Sequence, residues 1–423
     1  MLTLYRLLAL LISPFALWRL TRPATGKQGM QRRWRERLGR LEMAGQRPVW
    51  IHAASVGEVN AVQELIKALI RQYPTRNIVV STFTVSGAER VRSLFGQAVE
   101  HRFAPLDTWP AVRRWLARMN PVVGLIVETE IWPELYRQAR RRGLPLLLIN
   151  ARLTDRSLRR ASRMGALFRQ ALESINLALC QSDDDAGRLI ALGLPKKRCQ
   201  VTGNLKFDLP LPADIGSRAR ELRQQWGMRP SWVAGSTRNG EDEIVLAAHL
   251  KLIQEHPNAL LVLAPRHPER CDAIRQLIAQ AGLDCQVIGE IIAAKSAVVL
   301  VDRLGQLLPC YAAAPVAFVG GSLVDIGGHN LLEPASFGKA VISGPHLYQQ
   351  AEMAAALDQA GALLKVGNDR ELADQVARLW RDPEAALELG RAALGVVEAG
   401  RGSLRNTLRL LRPELEKAIA AAD

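Results

Sequence analysis

Short apolar runs alternate with helically spaced segments along most of this sequence, and this alternation limits the fold more than any other feature. Runs that suit buried strands occur in both halves, at 48–55, 77–82, 121–127, 144–149, 175–180, 200–202, 232–235, 259–264, 298–301, 316–319 and 340–342. After the first run, for example, Val59, Val62, Leu65, Ile66 and Leu69 repeat at helical spacing. Strands that alternate with helices predict parallel sheets with helices on both faces.

The chain length predicts two such domains, because 423 residues exceed what one hydrophobic core usually holds. We expect a first Rossmann-like domain at 23–207 and a second at 231–400, with the proline-rich segment 208–230 as the linker. We expect residues 401–423 to form a last helix that packs back on the first domain. Two Rossmann-like β/α/β domains that face each other across a cleft form the GT-B arrangement, which is the fold class we predict.

The charge of the chain favours an anionic partner. Lysine and arginine number 56 against 41 acidic residues, a net charge of +15. Membranes and phosphorylated substrates fit this charge, whereas nucleic acid is disfavoured because only 5% of residues are aromatic and no RNA- or DNA-binding motif occurs. The five cysteines include no C-x-x-C pair, so they predict reduced thiols in a cytosolic compartment.

The amino terminus predicts a retained membrane anchor at residues 1–22. An apolar run from Leu7 to Trp18 is flanked by Arg6 and Arg19 and is interrupted by Pro14. It is shorter than the ~20 residues of a typical spanning helix, and no cleavage site follows it. The arginines that follow would hold this flank at an anionic cytoplasmic leaflet. The alternative is an amino-terminal helix buried in the protein.

Three charged residues of the first half follow predicted strands. Glu58 lies at a strand-to-helix junction, where the helix dipole should favour the ionised form that a general base requires; the alternative is a capping role only. Glu128 follows a buried strand, at the sheet edge where ligands bind in such folds. Lys206 would stabilise a developing negative charge, unless it is an ordinary surface lysine. The acidic triplet Asp183–Asp185 begins a helix and indicates capping, not a metal site.

The stretch from Pro315 to Pro334 has the pattern of a nucleotide pocket. Two glycine pairs follow an apolar run, and Asn330 is a suitable N-cap for a short helix over 331–337. Free N–H groups at such a helix start bind phosphate, and Glu333 would accept hydrogen bonds from ribose hydroxyls. Arg266, between Pro265 and Pro268, is a stiffly held cation that suits a phosphate. The alternative is a glycine-rich loop that only turns a corner.

Six stretches together resemble the Kdo (3-deoxy-D-manno-octulosonic acid) transferases of lipopolysaccharide biosynthesis. They are HAASVGE at 52–58, ETEIWPEL at 128–135, NARLTDRS at 150–157, GNLKFD at 203–208, APRHPER at 264–270 and FVGGSLVDIGGHNLLEP at 318–334. The resemblance implies an inverting GT-B glycosyltransferase that moves Kdo from CMP-Kdo to a lipid A precursor. It implies no cofactor and no metal. The composition adds that nucleic acid is not a partner, and the amino-terminal anchor adds a location on the cytoplasmic face of the inner membrane.

The resemblance also assigns roles to residues. Glu58 corresponds to the catalytic base, and Glu128 and Lys206 to groups that assist the transition state. The CMP-binding positions correspond to Pro265, Arg266, Leu304, Gly305, Gln306, Asn330, Leu331, Leu332 and Glu333. Gln306 stands where the family pattern leads us to expect Glu. Two alternative functions are a GT-B nucleotide-sugar epimerase or hydrolase and a non-catalytic, membrane-bound nucleotide-sensing scaffold.

Overall fold

The computed structural model describes residues 2–21, 34–42, 47–153, 157–159, 165–208, 211–227, 229–290 and 296–422. The chain forms two compact units. The first unit comprises Met1–Asp208 and Gly400–Asp423, and the second comprises Leu209–Ala399.

The first unit contains a seven-stranded, fully parallel sheet in the order β3-β2-β1-β4-β5-β6-β7. Its strands are β1 Val49–His52, β2 Ile78–Thr82, β3 Glu100–Phe103, β4 Val123–Val127, β5 Leu146–Ala151, β6 Ile175–Cys180 and β7 Cys199–Val201. The chain winds outwards in one direction from β1 and in the other from β4. A crevice for ligands therefore forms at the carboxyl ends of β1 and β4, where the winding direction reverses.

Helices cover the first sheet on both faces. They are Trp34–Arg37, Val56–Ala61, Gln63–Gln72, Val85–Phe95, Trp109–Met119, Pro133–Arg141, Ala166–Leu172, Asp183–Ala191 and Ser403–Ala420, with 3₁₀ turns at Lys196–Arg198 and Leu205–Phe207. In β1, Trp50 packs in one buried cluster, while Val49 and Ile51 pack in another. This alternation explains why the strands are apolar throughout, since both faces of the sheet are buried.

The second unit repeats this architecture with the order β10-β11-β9-β8-β12-β13-β14, again fully parallel. Its strands are β8 Ser231–Thr237, β9 Leu260–Pro265, β10 Cys285–Val287, β11 Val298–Leu300, β12 Val316–Val319, β13 Ala340–Ser343 and β14 Leu363–Lys365. Its helices are Ile215–Trp226, Asp242–Glu255, Cys271–Gln280, Leu307–Ala313, Leu332–Ala335, Ala351–Gln359, Asp369–Arg381 and Pro383–Gly400, with a 3₁₀ turn at Pro268–Arg270. The winding direction reverses between β8 and β12.

The segment that we expected to be an irregular linker contains a helix in the structure. Residues 208–230 contain the helix Ile215–Trp226, which buries Ile215, Ala219 and Trp226. Prolines and charged residues dominate this segment, so its three widely spaced apolar positions are a weak helical signal.

The amino-terminal helix Leu2–Thr21 contacts the first unit through polar side chains. The Tyr5 hydroxyl donates to Asp107, and Arg6 donates two hydrogen bonds to Glu134, both at 3.0 Å. Asp107 also accepts the backbone N–H groups of Glu134 and Leu135 at 3.0 and 2.8 Å, at the start of the helix Pro133–Arg141. The helix Leu2–Thr21 is therefore fixed to the body by a buried polar cluster.

The opposite face of the same helix exposes large apolar side chains. Exposed fractions range from 44% at Leu10 to 77% at Leu11, and this face comprises Leu4, Leu7, Leu8, Leu10, Leu11, Ile12, Phe15 and Trp18. In the part of the chain that the structure describes, no helix has the length and apolar character needed to cross a bilayer. Arg22, Lys27, Arg32 and Arg33 of the predicted basic flank lie outside the described residues.

Candidate active site

Glu58 lies in the first turn of the helix that follows β1. Ser55 is the N-cap, and its side chain accepts the Glu58 N–H at 3.5 Å. The Glu58 carboxylate in turn accepts the Ala54 N–H at 2.7 Å and the Ser55 hydroxyl at 2.9 Å. This reciprocal arrangement is a variant of the capping box, in which the glutamate accepts the N–H of the residue before the N-cap, and it fixes the carboxylate at the carboxyl end of β1.

The electrostatic environment of Glu58 is the opposite of our expectation. The side chain is buried, with 8% of its surface exposed. Burial, followed by the nearby Glu130 and Glu128 carboxylates, raises the pKa of Glu58 to about 8, although the Ala54 N–H and the Ser55 hydroxyl favour the charged form. Desolvation and like charges therefore outweigh the helix dipole. A carboxyl group with a pKa near neutrality can both accept and release a proton.

Glu128 and Lys206 form an ion pair in the same unit. Lys206 Nζ lies 3.0 Å from Glu128 Oε1, and both side chains are about one quarter exposed. Glu128 follows β4, the strand next to β1, so the crevice at the switch point receives Glu58 from one strand and Glu128 from the other. Glu128 has a φ of 56°, a conformation that costs a non-glycine residue about 1 kcal/mol or more.

Two asparagines position Lys206. Asn150 is the penultimate residue of β5 and accepts the Leu205 N–H at 2.9 Å through its side-chain oxygen. Asn204 accepts the Lys206 N–H at 3.0 Å and caps the 3₁₀ turn that carries the lysine. Asn150, like Glu128, has a positive φ, of 54°. The two strand ends therefore hold strained polar residues next to the ion pair.

The acidic triplet Asp183–Asp185 forms the first turn of a helix, and the Asp185 carboxylate accepts the hydroxyl of the N-cap residue at 2.6 Å. Ser182 is the N-cap of the helix Asp183–Ala191, and its hydroxyl accepts the Asp185 N–H at 3.1 Å. Across the described ranges, no three or more His, Cys, Asp or Glu side chains are grouped to hold a metal ion.

In the second unit, most of the nucleotide-site residues predicted from the sequence follow β9 and β12, the two strands on either side of β8. Pro265 is buried at the end of β9, and Arg266 is exposed, with its N–H bonded to the Thr237 carbonyl at 3.0 Å. Asn330, Leu331, Leu332 and Glu333 follow the loop after β12. Since β9, β8 and β12 are adjacent, the fold brings Arg266 and the 330–333 segment to one edge of the sheet.

The N-cap of the short helix after this loop is Leu331 and not Asn330, which precedes the N-cap by one residue. The Asn330 side-chain oxygen accepts the Leu332 N–H at 3.1 Å, and its amide donates to Glu333 Oε1 at 3.4 Å. The helix spans Leu332–Ala335, shorter than the predicted 331–337. Burial raises the pKa of Glu333 to about 7, while Asn330 and Arg266 act in the opposite direction.

Glu241 is a residue that the sequence analysis missed. It is fully buried and its carboxylate accepts four backbone N–H groups, from Arg238, Gly321, Ser322 and Leu323, at 2.6 to 2.9 Å. These include the amides of the glycine-rich loop after β12. The loop therefore does not offer these N–H groups to a ligand, because an internal carboxylate occupies them.

Residues 304–306 form an exposed loop after β11. Leu304 is 77% exposed, and Gly305 has a φ of 83°. Arg218 donates to the Gln306 side-chain oxygen at 2.6 Å and to the Gly305 carbonyl at 3.3 Å. Gln306 thus provides an acceptor oxygen to Arg218, a role that the expected glutamate would also fill.

Comparisons with known proteins identify the family. Residues 32–209 match the family model of 3-deoxy-D-manno-octulosonic-acid transferase (kdotransferase). The chain is 37% identical over 375 residues to the 3-deoxy-D-manno-octulosonic acid transferase of Haemophilus influenzae, covering 88% of each chain. This chain belongs to the Kdo transferase family. The 3-deoxy-D-manno-octulosonic acid transferase of Bordetella pertussis is 36% identical over 384 residues, covering 86% of each chain.

A solved structure supports the fold of this Kdo transferase family member. The UDP-GlcNAc 2-epimerase from Neisseria meningitidis bound to UDP-GlcNAc superposes with a TM-score of 0.54 at 15% identity, covering 86% of this chain and all of the epimerase chain. At this identity the likeness concerns the fold alone. Together with the two parallel sheets, it confirms the predicted GT-B class, and the family membership makes the protein a glycosyltransferase.

Proposed function

We propose that this glycosyltransferase transfers Kdo, with inversion, from CMP-Kdo to a hydroxyl group of a lipid A precursor. The observation that carries the mechanism is the Glu58 carboxylate, which the capping box with Ser55 fixes at the switch point of the first sheet. In its charged form Glu58 takes the proton from the attacking acceptor hydroxyl. The acceptor oxygen then bonds to the anomeric carbon of Kdo, and the bond from that carbon to the CMP phosphate breaks.

Glu128 and Lys206 assist this step in the proposal. The lysine carries a positive charge at the switch point and is held there by the Glu128 carboxylate at 3.0 Å. A fixed cation stabilises negative charge that develops in the transition state without reorganisation of solvent.

The donor nucleotide is assigned to the second unit. Arg266 is exposed at the end of β9 and suits the phosphate of CMP. Asn330 and Glu333 offer amide and carboxyl groups to the ribose hydroxyls, while Pro265, Leu331 and Leu332 shape the pocket. Leu304 and Gly305 belong to the same site in this proposal, and Gln306 fixes their loop through Arg218.

We assign the protein to the cytoplasmic face of the inner membrane. The exposed apolar face of the helix Leu2–Thr21 would insert into the lipid interface, and the net charge of +15 favours an anionic surface. Burying one large apolar side chain contributes about 1.5–3 kcal/mol, so several such residues are enough for stable association. This location would place the enzyme beside its lipid acceptor.

The test is mass spectrometry of the lipid product. Purified protein is incubated with a CMP-Kdo supply and tetraacylated lipid A precursor, and the same reaction is run with radiolabelled Kdo. The proposal predicts that the lipid gains the mass of Kdo. Radiolabelled Kdo that appears in water and not in the lipid fraction would instead indicate a nucleotide-sugar hydrolase. Absence of any CMP-Kdo turnover would favour a non-catalytic protein.

A further inference from the structure

The glycine-rich loop of the second unit leaves the recognition of an anion to side chains. Glu241 accepts the N–H groups of Gly321, Ser322 and Leu323, and Asn330 accepts the N–H of Leu332. A carboxylate that already occupies these amides excludes a phosphate from the same position, because two anions would repel each other at contact distance. A phosphate at this sheet edge therefore cannot use these four N–H groups, which makes donor side chains the first candidates for binding it.

Four such side chains come from the ends of three adjacent strands. Arg238 follows β8, Arg266 and His267 follow β9, and His329 belongs to the loop after β12. Arg238 bonds to Nε2 of His267, whose Nδ1 lies 3.3 Å from Glu269. His267 thus accepts from Arg238 and orients the guanidinium. We call these four residues, two arginines and two histidines, the donor cluster.

His329 has an unused donor or acceptor atom. Its Nε2 is buried and makes no hydrogen bond among the described residues. The ring packs against Gly321, where a Cβ atom would lie 2.7 Å from Cδ2 and 2.9 Å from Nε2 of His329. The backbone N–H of His329 is fixed to the Gly320 carbonyl at 3.1 Å. The backbone therefore holds the ring in place, and buried polar atoms without partners are rare unless a ligand or water binds them.

We propose that Arg238 and His329 bind the phosphate of the nucleotide donor together with Arg266, and that His329 Nε2 donates a hydrogen bond to a phosphate oxygen. This inference rests on the proposed function, since it adds two binding residues to the donor site. Burial and the neighbouring Arg266, Arg238 and His267 lower the pKa of His329 to about 4, so the free protein holds a neutral imidazole there. A neutral imidazole donates to phosphate without adding a third charge beside Arg238 and Arg266.

The experiment compares the affinities of full-length protein for CMP and for cytidine by titration calorimetry. The dissociation constant for cytidine divided by that for CMP measures the contribution of the phosphate, because cytidine lacks only that group. We expect Arg238→Ala and His329→Ala each to reduce this ratio about tenfold or more while the cytidine affinity stays within twofold. Arg275→Ala, at an exposed arginine of the same unit, should leave the ratio unchanged.

A conservative pair tests the specific atom. His329→Gln places an amide nitrogen near the position of Nε2 and should keep most of the phosphate contribution, whereas His329→Asn is too short and should lose it. If His329→Ala fails to fold, the comparison of His329→Gln with His329→Asn still tests the role of Nε2. A wild-type ratio in Arg238→Ala and His329→Asn would overturn the inference. Were wild-type protein to bind CMP through these residues without transferring Kdo, only the proposed function would fail.

Discussion

Lys206 Nζ lies 3.0 Å from Glu128 Oε1, and this ion pair joins residues that are 78 positions apart in the chain. Asn150 and Asn204 hold the backbone around Lys206. Glu128 adopts a φ of 56° at the end of β4. A strained carboxylate that is paired with a lysine at the switch point of a Rossmann-like sheet indicates a functional site and not a stabilising contact.

Removal of the lysine tests this interpretation. We expect Lys206→Met to lower kcat for Kdo transfer about 100-fold or more, because one fixed electrostatic group contributes that much in comparable sites. The melting temperature should change little, because partly exposed ion pairs contribute about 1 kcal/mol or less. Lys197→Met, at an exposed lysine of the same unit, is the matched control. A full-rate Lys206→Met enzyme would contradict the assigned role.

The raised pKa of Glu58 predicts a pH dependence of stability. The pKa is about 8 in the folded protein against an ordinary value of 4.5, so the folded state binds the proton more tightly than the unfolded state. The free energy of unfolding of wild-type protein should therefore fall, relative to Glu58→Gln, as the pH rises from 4.5 towards 8. Urea unfolding of both proteins across this range measures the difference.

An exposed carboxylate provides the control for that experiment. Glu221→Gln changes an exposed residue of the second unit, and its difference from wild type should not vary across the same pH range. If the difference between wild type and Glu58→Gln is equally independent of pH, the environment we describe for Glu58 is wrong.

The sequence predicted the repeated strands and the polar residues that follow them, because buried parallel strands are apolar throughout and functional residues collect at their carboxyl ends. Val316–Val319 is a strand at the predicted position. By contrast, β3 at Glu100–Phe103 and the short strands β10 and β14 were missed. β3 has one apolar residue among four, and β10 and β14 have three residues each, too few for a local pattern, so pairing with neighbouring strands defines them.

A site residue could be predicted only where its residue type and its place after a strand were enough to suggest its role. The role of Glu241 depends on four amides, three of which lie about 80 positions away in the sequence. Within the run Gly240-Glu241-Asp242-Glu243 it resembles surface charge, and nothing local separates it from its neighbours. The direction of the Glu58 pKa shift was also missed, because burial and the position of Glu130 are properties of the tertiary structure.

We expect replacement of Glu241 to lower the stability of the protein strongly. A glutamine has one acceptor oxygen and places an amide group against backbone N–H groups, so Glu241→Gln should lower the free energy of unfolding by roughly 3 kcal/mol or more. Glu243→Gln, at an exposed position two residues away, should have little effect. Chemical denaturation of both variants measures this difference. Equal stabilities would show that the carboxylate does not hold the glycine-rich loop.

We expect the exposed apolar face of the amino-terminal helix to bind membranes reversibly. Leu11 and Phe15 are 77% and 59% exposed on its apolar face, so Leu11→Glu/Phe15→Glu should weaken binding to anionic phospholipid vesicles about tenfold or more without loss of folding. Leu387 is 55% exposed in the second unit, which makes Leu387→Glu the matched control. Co-sedimentation with vesicles is the measurement. Wild-type binding by the double variant would place membrane contact elsewhere.

The most direct test of the mechanism is the single-turnover rate of Kdo transfer by Glu58→Gln at saturating CMP-Kdo and lipid A precursor. Glutamine keeps the size and one acceptor oxygen of the side chain but cannot take a proton. We predict a rate about 1,000-fold below wild type, within the range for loss of a general base, together with wild-type affinity for CMP. A Glu58→Gln rate within a few fold of wild type would contradict the assignment of Glu58 as the base.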